Sequence, residues 1–230
     1  MKVKTAIILC AGYGKRVNPI TLDCPKPLLK INKTTLLENT INIIKKIGIK
    51  NIYINSFYLK NKLKDYLSNN KFNININIID DGKYLLGTGG GIKNILQNSK
   101  DKNFVVFNPD TLWDKTYLKY IKKMKEQYEK KKLKNFLLVV DKKLSFDKNL
   151  TGDFDLIDDR LDINKKKKYI FTGFQIINRY AFDNMEKKIF SIQDIWKIQL
   201  KKNCLYGFES RSKFMHITDL KIYEKISKNY

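Results

Sequence analysis

IILCAGYGKRVNPITLDCPKPLL, residues 7–29, joins an apolar run to a loop of small residues and then to a basic, proline-stiffened segment. Lys4 to Cys10 has the continuous apolar character of a short buried strand. After it, Ala11, Gly12 and Gly14 leave almost no side-chain bulk, so a phosphate or a base can come close to the backbone. Lys15 and Arg16 follow at once, Lys26 closes the other side, and Pro19, Pro25 and Pro27 stiffen the segment between. Gly-x-Gly alone is a common turn after the first strand of an α/β domain. The added Arg16, Asn18-Pro19-Ile20-Thr21 and Pro25-Lys26-Pro27 turn that reading towards a device for holding a polyanion.

G-x-G-x-R, then x-x-P-x-T, then P-K-P-L-L resembles the signature of the sugar-phosphate nucleotidyltransferases (NDP-sugar pyrophosphorylases). The resemblance runs through most of the 230 residues. It is strongest to the short bacterial branch of N-acetylmuramate-1-phosphate uridylyltransferases and proteins labelled mannose-1-phosphate guanylyltransferase. It implies a Rossmann-like α/β fold: three α/β/α layers around a mixed, mostly parallel central sheet. It also implies a reaction, in which a nucleoside triphosphate (UTP or GTP) and a sugar 1-phosphate give an NDP-sugar and pyrophosphate. Mg²⁺ is the implied cofactor, and supply or recycling of cell-wall or surface-glycan precursors the implied setting. One nucleotidyltransferase domain is expected over 1–230, with a nucleotide-binding half to about 112 and a sugar-phosphate-binding half after it.

The pattern further along agrees. Leu36, Leu37, Ile41, Ile44 and Ile47 recur at helical spacing and stop at Gly48, and residues 49–55 alternate like a strand. Leu59, Leu63 and Leu67 predict a second helix, and Ile74, Ile76 and Ile78 a third strand. This β-α-β-α-β rhythm implies parallel strands, with ligands at their carboxyl ends. Glycines at 87, 89, 90 and 91 precede another helical run, which predicts helix N-terminal amides open to a base edge or an anion. The family resemblance gives Gly87, Thr88, Gly89 and Gly90 the base, and Ala11, Gly12, Gly14, Lys15, Arg16 and Lys26 the rest of the nucleotide.

Phe104 to Phe107 is a continuous apolar strand ending in Asn108-Pro109-Asp110. A carboxylate there is placed to hold Mg²⁺ against phosphate oxygens, and resemblance gives Asp110 that role. Capping of a helix from about 115 to 130 is its alternative, a task Asp114 could equally perform. Trp113 is expected in the core. Residues 144–150 read as an exposed loop, followed by a hairpin-like stretch from Gly152. Asn108, Gly152, Asp153, Thr172 and Gly173 are the sugar-phosphate candidates that resemblance supplies. The family's E-K-P lysine is missing, leaving Lys165 to Lys168 as substitutes or as a solvated run. His216 falls where relatives have a second metal-binding aspartate, and Asp219 either replaces that carboxylate or caps the last helix. Resemblance makes Arg16, Lys26 and Asp110 catalytic. Arg16 would steady the leaving pyrophosphate, and Lys26 the α-phosphate or sugar phosphate. The nucleophile is already anionic, so no general base is required.

The formal net charge is +23, yet only four of the 46 cations are arginines. Recognition surfaces favour the planar guanidinium fork, so a solvated lysine coat is expected rather than a specific nucleic-acid site. Three scattered cysteines without metal spacing predict a reduced, cytoplasmic setting, and no run is long enough to span a membrane. No motif sets an oligomeric state. Rival readings remain: a cytidylyltransferase acting on a non-sugar phosphate such as phosphocholine, or a non-enzymatic basic nucleic-acid-binding module. A nicotinamide dehydrogenase is disfavoured because Val17 stands at the third glycine of Gly-x-Gly-x-x-Gly.

Overall fold

Alternation along the first strand sets the architecture: Ala6 and Ile8 face one side of the sheet, Ile7 faces the other, and all three are fully buried. A strand apolar on both faces has to lie between two covering layers. The computed structural model describes residues 3–164 and 166–229. In chain order its elements are β1 (Thr5–Leu9), β2 (Lys30–Ile31), β3 (Thr34–Thr35), α1 (Leu36–Lys46), β4 (Asn51–Ser56), α2 (Lys60–Asn69), β5 (Asn75–Asp80), α3 (Gly87–Gln97), β6 (Asn103–Phe107), α4 (Tyr117–Lys131), β7 (Asn135–Asp141), β8 (Asp155–Ile157), β9 (Arg160–Asp162), β10 (Tyr169–Asn178), α5 (Ile192–Lys201), β11 (Tyr206–Ser210) and α6 (Leu220–Lys228).

Nine strands form one sheet in the order β5-β4-β1-β6-β10-β7-β11-β9-β8, while β2 and β3 pair separately. The strands β4, β5, β6, β7, β8 and β11 run with β1, and only β9 and β10 run against it. The fold is therefore the expected mixed but mostly parallel α/β sheet. Leu37, Ile41 and Ile44 of α1, Leu63 of α2 and Ile121 and Met124 of α4 cover one face. Ile92, Ile95 and Leu96 of α3 and Ile192, Ile195 and Trp196 of α5 cover the other. Each such side chain, fully buried, contributes about 1.5–3 kcal/mol.

The chain moves from β1 outward to β4 and β5, then returns through α3 to β6 on the other side of β1. That reversal opens a crevice at the carboxyl ends of β1 and β6, the place where open α/β sheets bind ligands. The C-terminal segment reinforces it from outside. Ile222 and Ile226 of α6 pack with Val17, Leu29 and Leu112, so the last helix braces the loop after β1.

One expectation needs correction, and one alternative is resolved. Residues 144–150 are not a free loop: Ser145 and Asp147 are buried, Phe146 N donates to Phe214 O at 2.8 Å, and Thr218 Oγ1 donates to Asp147 Oδ2 at 2.7 Å. Asp114, not Asp110, serves the start of α4, where its carboxylate accepts from Thr116 N at 2.7 Å. Lys165 lies outside the described residues. Trp113 sits in the core, edge-on to Phe107 and Tyr117.

Candidate functional site

Gly14 begins the local construction. Its φ of 68° lies in the left-handed region, and a Cβ there would stand 3.1 Å from Thr21 Cγ2 and 3.2 Å from Lys26 Cβ. Only glycine lets the loop after β1 press against the segment that carries Lys26. Buried Thr21 ties the two together, its Oγ1 lying 3.0 Å from Gly14 O and 2.8 Å from Asn18 Oδ1. This gives the N-x-x-T spacing a physical meaning. Arg16 and Lys26 each sit on a single turn of 3-10 helix, Lys15–Val17 and Lys26–Leu28. Gly14→Ala should lower stability by about 1–2 kcal/mol. Thermal denaturation checks this, and an unchanged midpoint would contradict it.

Asp110 faces these cations from the end of β6. Its backbone is fixed by Ile217 N, which donates to Asp110 O at 2.9 Å. Lys26 Nζ lies 2.6 Å from Asp110 Oδ2, with side-chain exposures of only 13% and 21%. The other oxygen, Oδ1, is buried and has no hydrogen-bond partner among the described residues. Burial works against the Asp110 charge, but His216 in its protonated, acid-pH form and the Lys26 ammonium outweigh it and hold the carboxyl down at about 2. Burial also lowers the pKa of His216, with Lys26 and Arg16 opposing its protonation further. Its Nδ1 stands 3.6 Å from Asp110 Oδ1 and 3.2 Å from Thr111 Oγ1. Because Thr111 spends its proton on Thr172 O at 2.8 Å, it accepts from Nδ1–H, and the neutral ring keeps its lone pair on Nε2.

Ala11, Gly12, Gly14, Lys15, Arg16, Lys26, Gly87, Thr88, Asn108 and Asp110 all line one cleft of 380 Å³. A second cavity of 420 Å³ adjoins it, sharing Leu9, Arg16, Thr88 and Asn108 and adding Asp153, Gly173 and His216. Gly173, with φ 89°, sits at a register break in β10, which sends its carbonyl to Asn108 N at 2.8 Å.

Other candidates lie apart or are already engaged. Gly89 and Gly90 are buried, and their amides donate to Phe190 O at 3.0 and 3.1 Å rather than facing the cleft. Their missing side chains are explained by packing, since a Cβ on Gly90 would stand 2.2 Å from Lys188 O. Thr88 Oγ1 is engaged as acceptor for Ile192 N at 2.9 Å. Thr172 is wholly buried, and its hydroxyl donates to Leu138 O at 2.9 Å. Gly152 lines a separate hollow with Lys166 and Lys167. Asp219 caps α6, accepting from Ile222 N at 2.9 Å, and lines neither cavity. Lys168 pairs with Asp141 at 3.2 Å.

Sequence reasoning missed Asn55, whose side chain lines the first cleft. Its Oδ1 accepts from Cys10 N at 2.9 Å and its Nδ2 donates to Asp81 Oδ2 at 2.7 Å, tying β1 to β4 at the cleft floor. Asn94 holds Asp81 from the other side at 3.1 Å. An asparagine ending an alternating strand was the only signal, and it does not announce a partner 45 residues away.

Among the described residues no three His, Cys, Asp or Glu side chains gather as a metal cluster, and no helix is long and apolar enough to cross a membrane. Cys10, Cys24 and Cys204 are free thiols.

Comparison with known proteins places the chain. Residues 5–146 match the family model described as Nucleotidyl transferase. D-glycero-alpha-D-manno-heptose 1-phosphate guanylyltransferase of Aneurinibacillus thermoaerophilus is 28% identical, with 97% of this chain and 96% of the relative covered. N-acetylmuramate alpha-1-phosphate uridylyltransferase of Neisseria meningitidis serogroup B is 27% identical over 88% of this chain and 87% of the relative. In fold, a UDP-glucose pyrophosphorylase complexed with UDP-glucose superposes with a TM-score of 0.82 at 18% identity, covering 100% of this chain and 98% of that one. The family match alone spans more than half of the chain, and it includes both β1 with its loop and the end of β6 that bears Asp110. This protein belongs to the nucleotidyl transferase family.

Proposed function

We propose that the chain transfers a nucleotidyl group from UTP or GTP to a sugar 1-phosphate, releasing pyrophosphate, in cytoplasmic supply of cell-wall or surface-glycan precursors. The carrying observation is that Arg16, Lys26 and Asp110 line one cleft, which shares Leu9, Arg16, Thr88 and Asn108 with a second cavity. Relatives named for heptose 1-phosphate and N-acetylmuramate 1-phosphate support the substrate class. Residues to about 112 would hold mainly the nucleotide and those after it mainly the sugar phosphate.

Loop 11–16 offers backbone and two cations to a triphosphate. Arg16 borders both cavities, where its fork can hold the departing pyrophosphate. Lys26 Nζ, as a compact point charge, neutralises the α-phosphate as the sugar-phosphate oxygen attacks in line. Positioning and charge neutralisation suffice, because the attacking oxygen carries its own negative charge.

The family works with a divalent metal. Asp110 fits one: a buried carboxylate oxygen stands without a partner, and Mg²⁺ is commonly held by one or two carboxylates together with substrate phosphates. Bound there, Mg²⁺ would neutralise phosphate charge and fix the α-phosphate for displacement. Asp219 is spent on a helix cap, so Asp110 is the carboxylate ligand in this reading, and His216, with Nδ1 engaged by Thr111, has Nε2 left to offer as a second, weaker one.

Pyrophosphate release measured over a grid of UTP, GTP, CTP, ATP and dTTP against several sugar 1-phosphates and phosphocholine tests the proposal. Release with UTP or GTP that requires a sugar 1-phosphate is the expected result. Release only with CTP and phosphocholine, or with no pair, would overturn it.

A further inference from the structure

Of the glycines at 87, 89, 90 and 91, Gly91 is the one that neither the cleft nor the packing of residues 188–190 accounts for. A Cβ on it would stand 2.5 Å from Asn55 Nδ2 and 3.5 Å from Asp81 Oδ2. The start of α3 is bare here because two buried polar side chains, 2% and 6% exposed, meet beneath it.

Hydrogen bonds run through this pair in a fixed direction. Cys10 N–H can only donate, so Asn55 turns its Oδ1 to it at 2.9 Å and its NH₂ to Asp81 Oδ2 at 2.7 Å. Asn94 presents its own NH₂ to Asp81 Oδ1 at 3.1 Å, and Asp81 N donates to Ser56 O at 2.9 Å. Both side-chain oxygens of Asp81 therefore face donors, a demand that an ionised carboxylate meets and an amide cannot. Burial raises the Asp81 pKa, while the hydrogen bonds from Asn94 and Asn55 oppose that by favouring the charged form. Asp81 itself lines neither cavity. Through Asn55 it holds the Cys10 backbone from which loop 11–16 departs, and along the chain it leads into Leu85, Gly87 and Thr88, which line the same cleft.

We propose that Asp81 is a positioning residue for the triphosphate: acting through Asn55, it sets the backbone of loop 11–16 without touching substrate. Asn94 and Gly91 serve the same end, one by holding the far carboxylate oxygen and the other by leaving room for the pair. This rests on the nucleotidyl-transfer reading above.

Steady-state kinetics of the full chain, with UTP or GTP and the sugar 1-phosphate that the substrate grid selects, tests it. Asp81→Asn should raise the triphosphate KM by about 10-fold, the scale of one buried donor left facing another, and leave the KM for the sugar 1-phosphate unchanged. Asn94→Asp should do likewise, because it sets two carboxylates against each other. The double variant Asp81→Asn/Asn94→Asp pairs donor with acceptor again, losing only the 3.2 Å bond from Asn94 to Asp80 O. It should return the triphosphate KM to within about 3-fold of wild type, as coupled neighbours do. Gly91→Ala, which crowds the Asn55 amide, should raise the same KM and serves if Asp81→Asn melts early. A double variant as impaired as the two singles multiplied, equal rises in both KM values, or an unchanged triphosphate KM in every variant would overturn the inference while leaving the reaction standing. Failure of wild type to turn over any triphosphate would overturn both.

Discussion

Lys26→Ala should lower kcat for pyrophosphate release by about 10²–10³-fold, the scale on which one preorganised charge-stabilising donor acts. The ammonium sits 2.6 Å from the Asp110 carboxylate and is largely shielded from water, so its field is poorly screened. Removing it also strands a carboxylate that burial disfavours, and stability should fall by about 1–3 kcal/mol. Assays well below the variant's melting temperature separate the two effects. Lys26→Arg should recover part of the stability but little of the rate, because a planar fork cannot replace a point charge at this range. Near-normal turnover in Lys26→Ala would remove the mechanism as stated.

Asp110→Asn should cost more, about 10³-fold or beyond, since it removes the one carboxylate that lines the cleft among the described residues and with it the proposed metal contact. The same variant should alter the acid limb of the stability curve. In the folded chain the Asp110 carboxyl is held at about 2, below its ordinary value of 3.8. A depressed carboxyl stabilises the fold above the unfolded pKa and loses that contribution as pH falls through the folded one. Wild type should therefore shed about 2 kcal/mol between pH 4 and pH 2 that Asp110→Asn does not. Parallel urea titrations at several pH values read this directly, and identical acid slopes would contradict the assignment.

The parallel core of the fold was legible because its signals are local. The continuous apolar run at residues 4–10, the alternation at 49–55 and the helical spacing at 36–47 each lie within one element, and such patterns encode burial locally. The loop after β1 was legible for a different reason: Thr21 and Lys26 both pack against Gly14 within a dozen residues. What the sequence left hidden depends on distant pairings. Four glycines near residue 90 suggested an open anion site, yet Gly89 and Gly90 are small because residues 188–190 pack against them from the far side of the chain. Thr172 looked like a sugar contact, but the register of β10 turns its hydroxyl to Leu138 O. Asn55 and Asp81 gave no local sign at all, since each draws its meaning from a partner on another element. His216 was noticed for its position, and only the isolated bridge between Thr111 and His216 shows its Nδ1 committed to Thr111.

The central claim is that Arg16, Lys26 and Asp110 surround the triphosphate in a single cleft. A crystal structure with Mg²⁺ and a non-hydrolysable analogue of the triphosphate selected by the substrate grid tests it most directly. The account predicts phosphates lying between loop 11–16 and Lys26, with a metal bound by Asp110. A triphosphate seated elsewhere, with neither Arg16 nor Lys26 touching a phosphate, would contradict it.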